Sequence, residues 1–136
     1  MSRKACYCGS GRDFFECCSP FLERHQLPSS PEQLMRSRFS AFCEKNLDYL
    51  MATTDPQTRL DFDFDATREW AEAAEFLKLE VLRSTQEGNK GIVEFKAHYR
   101  MPNESPTVHH ELSKFRKQAG HWYFREGRVF APESAV

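Results

Sequence analysis

Ile92-Val93-Glu94-Phe95-Lys96-Ala97-His98-Tyr99-Arg100-Met101 decides the fold. Val93, Phe95, Ala97, Tyr99 and Met101 alternate with Glu94, Lys96, His98 and Arg100, the period of two that a half-buried strand uses. Upstream, Glu87-Gly88-Asn89-Lys90-Gly91 reads as a turn. Before it, Leu77, Leu79 and Val81 alternate with Lys78, Glu80 and Leu82, which predicts a preceding strand. Downstream, Pro102 to Pro106 is a loop and Val108 to Lys117 a third strand. Gln118-Ala119-Gly120 is a turn, and His121 to Glu126 a fourth strand closed by Gly127. Four consecutive strands joined by short turns make an antiparallel meander.

Helical signals precede the meander. Ser30 is placed as an N-cap, Pro31 at the first helical position and Gln33 three residues after the cap, the pattern of a capping box. Leu34, Met35, Phe39, Ala41 and Phe42 then fall on one side at about 100° per residue. Asn46 ends or offsets this helix, and Leu47 to Thr54 continues helically until Asp55-Pro56 stops it. Residues 55–65 are acidic and irregular. Asp65 is the expected cap of a third helix, Ala66 to Ala74, anchored by Trp70. Helices first and strands second predict an α+β fold, with helices packed on one face of a curved antiparallel sheet.

The chain has 136 residues, with 19 Lys+Arg against 20 Asp+Glu, a net charge of −1. That balance excludes a general nucleic-acid binder, which needs a cationic excess. It hides an asymmetry: residues 61–80 carry seven acids and two bases, whereas residues 108–128 carry five Lys+Arg and two acids. The basic stretch reads either as an ordinary solvated face or as a docking surface for an acidic partner or ribosomal RNA. No apolar run is long enough to span a bilayer, and Met1 to Cys6 lacks the apolar segment of a signal peptide. The expected location is the cytoplasm.

Four of the five cysteines lie between residues 6 and 18. A reducing compartment disfavours disulfides, and an odd count leaves one thiol over. Cys6 and Cys8, separated by one residue, and the adjacent pair Cys17-Cys18 suit four thiolates converging on one structural zinc ion. Gly9 and Gly11 permit the positive φ that lets the intervening loop curl. Asp13 to Cys18 reads as a short helical turn that delivers the second pair. A redox thiol cluster is the competing reading. Cys43, outside the cluster, reads as a small packing residue.

Cys6-Tyr7-Cys8-Gly9-Ser10-Gly11 followed by Cys17-Cys18 resembles the SEC-C motif, a zinc module named for the C-terminus of the SecA translocation ATPase. The resemblance implies that Cys6, Cys8, Cys17 and Cys18 hold one Zn²⁺ and that the module contacts a protein partner, by analogy near the ribosome or the translocation machinery. Leu34-Met35-Arg36-Ser37-Arg38-Phe39-Ser40-Ala41-Phe42, Glu111-x-Ser113-x-Phe115 and Trp122-Tyr123-Phe124-Arg125-Glu126-Gly127 resemble three stretches of the YchJ-like proteins. That likeness implies a SEC-C zinc-binding motif over residues 1–26. Over residues 27–136 it implies a cone domain similar to nuclear transport factor 2. Many YchJ-like proteins carry a second SEC-C module at the C-terminus, and this sequence shows none. The resemblance brings no established activity with it.

Several polar residues fall on apolar faces. Arg38 lies inside the apolar sector of its helix, whereas Arg36 faces away. A buried arginine needs a partner. Period two puts His109, Glu111, Ser113 and Phe115 on one face of the third strand, so the expected partner of Arg38 is Glu111, with Ser113 or Tyr99 completing the hydrogen bonds. Two functions follow. In the first, the chain is a non-catalytic, zinc-bearing protein-binding module with no catalytic residue assigned. In the alternative, a small-molecule receptor or enzyme uses a cone pocket around Arg38, Tyr99, His109, Glu111 and Ser113. An open apolar cavity with Glu111 at its floor favours the alternative; a cone filled by Phe and Trp favours the first.

Overall fold

The computed structural model describes residues 4–130. A 3₁₀ turn, Phe14–Glu16, and a short helix α1, Ser19–Leu22, follow the first cysteine pair. Then come α2, Pro31–Cys43; α3, Leu47–Ala52; a second 3₁₀ turn, Arg59–Asp61; and α4, Phe64–Ala73. Four strands complete the order: β1, Glu75–Glu87; β2, Lys90–Arg100; β3, Thr107–Gln118; and β4, His121–Val129. They form one antiparallel sheet in the order β1-β2-β3-β4. This is the α+β architecture expected from the residue pattern.

The hydrogen bonds at the helix starts explain where the chain turns helical. Ser30 Oγ accepts from Gln33 N at 3.1 Å, as expected for an N-cap. The return half of the box differs: Gln33 Oε1 accepts from Ser29 N at 2.8 Å. Asn46 Oδ1 caps α3 by accepting from Tyr49 N at 3.0 Å, after Lys45 turns the chain at φ 58°. Helix α4 starts earlier than expected, because Asp63 and not Asp65 is the cap, with Oδ1 2.9 Å from Ala66 N. The Phe62 and Phe64 rings, 5.9 Å apart, hold that start against the domain.

Bulges in β1, between Phe76 and Lys78 and between Val81 and Arg83, offset the simple alternation. The first turns Leu77 outward, Leu79 stays buried, and Leu82 lies on the outer side, where alternation put it. A third bulge inserts Arg125 in β4, opposite Lys114 and Phe115 of β3. Such bulges bend and twist a sheet, which gives this one its curvature. β4 continues past Gly127, where the glycine pattern had predicted its end; Gly127 pairs with Ser113 in the ladder. The far edge of β4 is covered by the segment after α3: Asp55 N donates to Phe124 O and Phe124 N to Thr53 O, both at 2.8 Å.

Helix α2 lies on the sheet, with Leu34, Met35, Phe39 and Ala41 facing Val93, Phe95, Phe115 and Phe124 in one core. Cys6, Cys8, Phe14, Cys18 and Phe21 belong to the same buried cluster, so the N-terminal loop packs directly onto the domain.

Candidate functional site: a thiolate cluster and a polar-floored cavity

The N-terminal loop is built to converge. Gly9 and Gly11 both take positive φ, 81° and 83°, which lets the chain reverse after Cys8. Asp13 Oδ1 accepts from Phe15 N at 2.9 Å and starts the 3₁₀ turn that leads to Cys17 and Cys18. The four sulfur atoms end within 4.8 Å of one another, all buried, and all five cysteines are free thiols. Cys8 Sγ and Cys17 Sγ are 3.7 Å apart. Hydrogen bonds from Cys18 and Cys6, helped by Ser10, hold the Cys8 thiol well below its ordinary range. Donation to Cys6 and Cys8, with burial, pushes Cys18 up. Four sulfurs in a closed shell around one point could hold a metal ion.

The domain completes this shell. Ser10 Oγ lies 3.2 Å from Cys17 Sγ, and Ser40 Oγ of α2 lies 3.7 Å from Cys6 Sγ. Arg36 Nη1 donates to Cys8 O at 2.6 Å, and its Nε donates to Glu32 at 2.9 Å. Tyr7 Oη donates to Glu44 at 2.5 Å. Arg36 does face away from the apolar stripe, but what it faces is the cysteine loop and not solvent. Sequence pattern missed these contacts. The one signal was the run of small residues, Ser37, Ser40 and Ala41, all fully buried on α2.

On the other side of α2, a cavity of about 160 Å³ opens between the helices and the sheet. Phe39, Phe42, Phe62, Phe64, Trp70, Phe76, Phe95 and Phe124 supply aromatic walls, and Arg38, His109, Glu111 and Ser113 also line it. Glu111 Oε1 lies 2.7 Å from His109 Nε2, and Ser113 Oγ donates to Glu111 Oε2 at 2.5 Å. Burial raises the Glu111 carboxyl, but bonds from His109 and Ser113 and the charge of Arg38 outweigh it and hold it below the usual range. A Cβ on Gly127 would collide with the Glu111 carboxylate, so the missing side chain makes room for it. The His109 ring packs 5.4 Å from Trp70.

The expected Arg38–Glu111 ion pair is not formed. Arg38 Nη1 donates to Leu50 O at 3.0 Å and Thr53 Oγ1 at 2.7 Å, and the guanidinium stacks 4.5 Å from the Phe124 ring centroid. The end of α3 packs against α2, and its Leu50 carbonyl, which also accepts from Thr54 Oγ1 at 2.8 Å, satisfies the arginine. Burial brings Arg38 down to about 10, which still leaves it charged at neutral pH. Tyr99 does not line the cavity; it packs edge-on against Trp70 at 5.3 Å. The structure therefore brings Arg38, His109, Glu111 and Ser113 to one cavity and leaves Tyr99 outside it.

Residues 30–127 match the family described as YchJ, middle NTF2-like domain. The chain belongs to the YchJ-like UPF0225 family. A UPF0225 protein of Geobacter sulfurreducens is 42% identical over 134 residues, covering 96% of this chain and 83% of that protein. A second UPF0225 protein, from Actinobacillus succinogenes, is 37% identical over 129 residues, 93% of this chain and 83% of its own. The solution structure of a SEC-C motif containing protein from Rhodopseudomonas palustris superposes with a TM-score of 0.87 at 46% identity. It covers 94% of this chain and 100% of that one. A SEC-C motif containing protein from Psychrobacter arcticus superposes at 0.79 with 27% identity, covering 98% and 86%. The cysteine loop of this UPF0225 protein is thus the SEC-C element of the family, set on an NTF2-like cone.

Proposed function

We propose that this UPF0225 protein is a small-molecule-binding protein. Its cone cavity takes a compact, mostly apolar ligand that carries a hydrogen-bond donor, and its four cysteines hold one structural Zn²⁺. The observation that carries the reading is the cavity itself: aromatic walls around an ionised carboxylate that still has lone pairs to offer. An apolar cavity near 150 Å³ accepts a benzene-sized guest, so a single-ring or fused two-ring ligand is the right scale. Glu111 orients the donor end, with His109 and Ser113 fixing the carboxylate.

Zinc is the metal the sulfurs suit best. A tetrahedron of sulfurs ~2.3 Å from a central zinc has edges of about 3.8 Å, close to the 3.7 Å between Cys8 and Cys17. All four positions come from the protein, which makes the ion a staple. It holds the SEC-C loop to α2, and α2 is one wall of the cavity. Free thiols fit a reducing cytoplasm; no helix among the described residues is long and apolar enough to cross a membrane.

The test is thermal denaturation with indole and with toluene. Indole raises the unfolding temperature of the wild type and raises that of Glu111→Gln less, and toluene raises both equally. No stabilisation by either probe contradicts the reading. A second reading, a protein partner docked on the SEC-C loop, is supported by Phe15, which is 61% exposed there. Its test compares partner capture by wild type and Phe15→Ser.

A further inference from the structure

Arg38 keeps one edge of its guanidinium unused. The residue is only 8% exposed. Both N–H groups of Nη1 are taken, by Leu50 O at 3.0 Å and Thr53 Oγ1 at 2.7 Å. The Phe124 ring covers one face. What remains is the edge where Nε–H and one N–H of Nη2 point the same way. Among the described residues nothing accepts from that edge. The fully enclosed side-chain polar atoms without a partner there are Arg59 Nε and Trp122 Nε1, so the Arg38 edge is unpartnered yet open. The space that Arg38 lines is the cone cavity.

Arg116 shows what this edge takes. Its Nε and Nη2 hold the Asp55 carboxylate side-on, at 2.7 Å each. Arg38 has the same fork and no carboxylate on it. Glu111, the acid of the cavity, is bonded instead to His109 and Ser113. A buried guanidinium without a contacting anion carries an uncompensated desolvation cost, and Arg38 stays charged at neutral pH. A charged planar fork open to a cavity selects a carboxylate over a neutral acceptor.

We propose that the ligand of the cone is an aromatic monocarboxylate whose far end carries an O–H or N–H group, an assignment that rests on the cone cavity being a binding site. The carboxylate lies side-on against Nε and Nη2 of Arg38, the ring lies among the aromatic walls, and the donor reaches Glu111. Arg38 enters from α2 and Glu111 from β3, so the two ends of the ligand meet opposite layers of the fold.

The test is calorimetric titration with 4-hydroxybenzoate and with 4-hydroxybenzamide, which keeps the shape and removes the charge. The wild type is expected to bind the acid at least about tenfold more tightly than the amide. The acid should displace indole, and Ala97→Leu, which fills the cavity, should abolish its binding. Arg38→Gln removes the charged fork and should bring acid and amide within about twofold of each other. If that variant does not fold, the comparison on the wild type decides alone. Acid binding no tighter than amide binding overturns the proposal, as does acid binding that survives Ala97→Leu. Indole binding without a preference for the acid overturns the carboxylate and spares the cavity; no binding of any probe overturns both.

Discussion

Asp55 and Arg116 form a two-pronged ion pair. Arg116 Nε and Nη2 donate to the two Asp55 oxygens at 2.7 Å each, and Arg125 adds a third contact at 3.3 Å. The Asp55 side chain is fully buried. The pair ties the segment after α3 to β3 and β4, and so closes the sheet edge beside the cavity. Asp55→Ala strands two guanidinium groups, and it is expected to cost about 3 kcal/mol in urea denaturation at neutral pH.

The same pair sets the acid limit of the fold. Bonds from Arg116, chiefly, hold the Asp55 carboxyl down to about 2. A carboxyl lowered in the folded state contributes stability that is complete above its unfolded value, near 4, and is lost as pH falls through the folded value. Denaturation midpoints measured from pH 5 to pH 2 should fall for the wild type and fall less steeply for Asp55→Ala.

The metal claim has a mass-spectrometric readout. Reduced protein should carry one equivalent of zinc. Iodoacetamide should leave the zinc-loaded protein unmodified and, once chelation lets the cysteine loop open, add up to four adducts. The fifth thiol, Cys43, stays unmodified, because burial pushes it up to about 12. Chelation should also lower the unfolding temperature by at least about 5 °C, since 1 kcal/mol is worth a few degrees in a domain of this size.

Arg36 joins the metal loop to α2. Arg36→Gln loses a charged donor to Cys8 O, worth about 1.5 kcal/mol. It should also speed zinc transfer to a chelator. An unchanged transfer rate would mean that the staple holds without it.

Gly127 bears on the cavity floor. Gly127→Ala puts a methyl group where Glu111 lies. The carboxylate must leave His109 and Ser113, so the substitution should cost about 1 to 3 kcal/mol in stability and abolish the preference for indole over toluene.

These residues show where local pattern is informative. The alternation around Val93 and Phe95 and the cap at Ser30 are properties of neighbours in sequence, and the strands and α2 followed from them. Cys6, Cys8, Cys17 and Cys18 lie within one loop, so their convergence was legible as well. Long side chains that cross between elements were not. Helical period placed Arg38 in the apolar sector but could not say that Leu50 O is nearer than Glu111. It placed Arg36 outside the stripe but could not show the SEC-C loop waiting there. Asp55 read as a stop signal before Pro56, and its two arginine partners lie 61 and 70 residues away. The β1 bulges shifted Leu77 outward, since alternation carries no mark of an inserted residue.

Ligand binding in the cone is the central claim, and calorimetric titration of indole into wild type and Ala97→Leu tests it most directly. Ala97 lines the cavity and is 3% exposed. A leucine there fills the space and leaves Glu111 in place. The account predicts saturable binding of one indole to the wild type and none to Ala97→Leu. Equal binding to both proteins, or heat from neither, would contradict it.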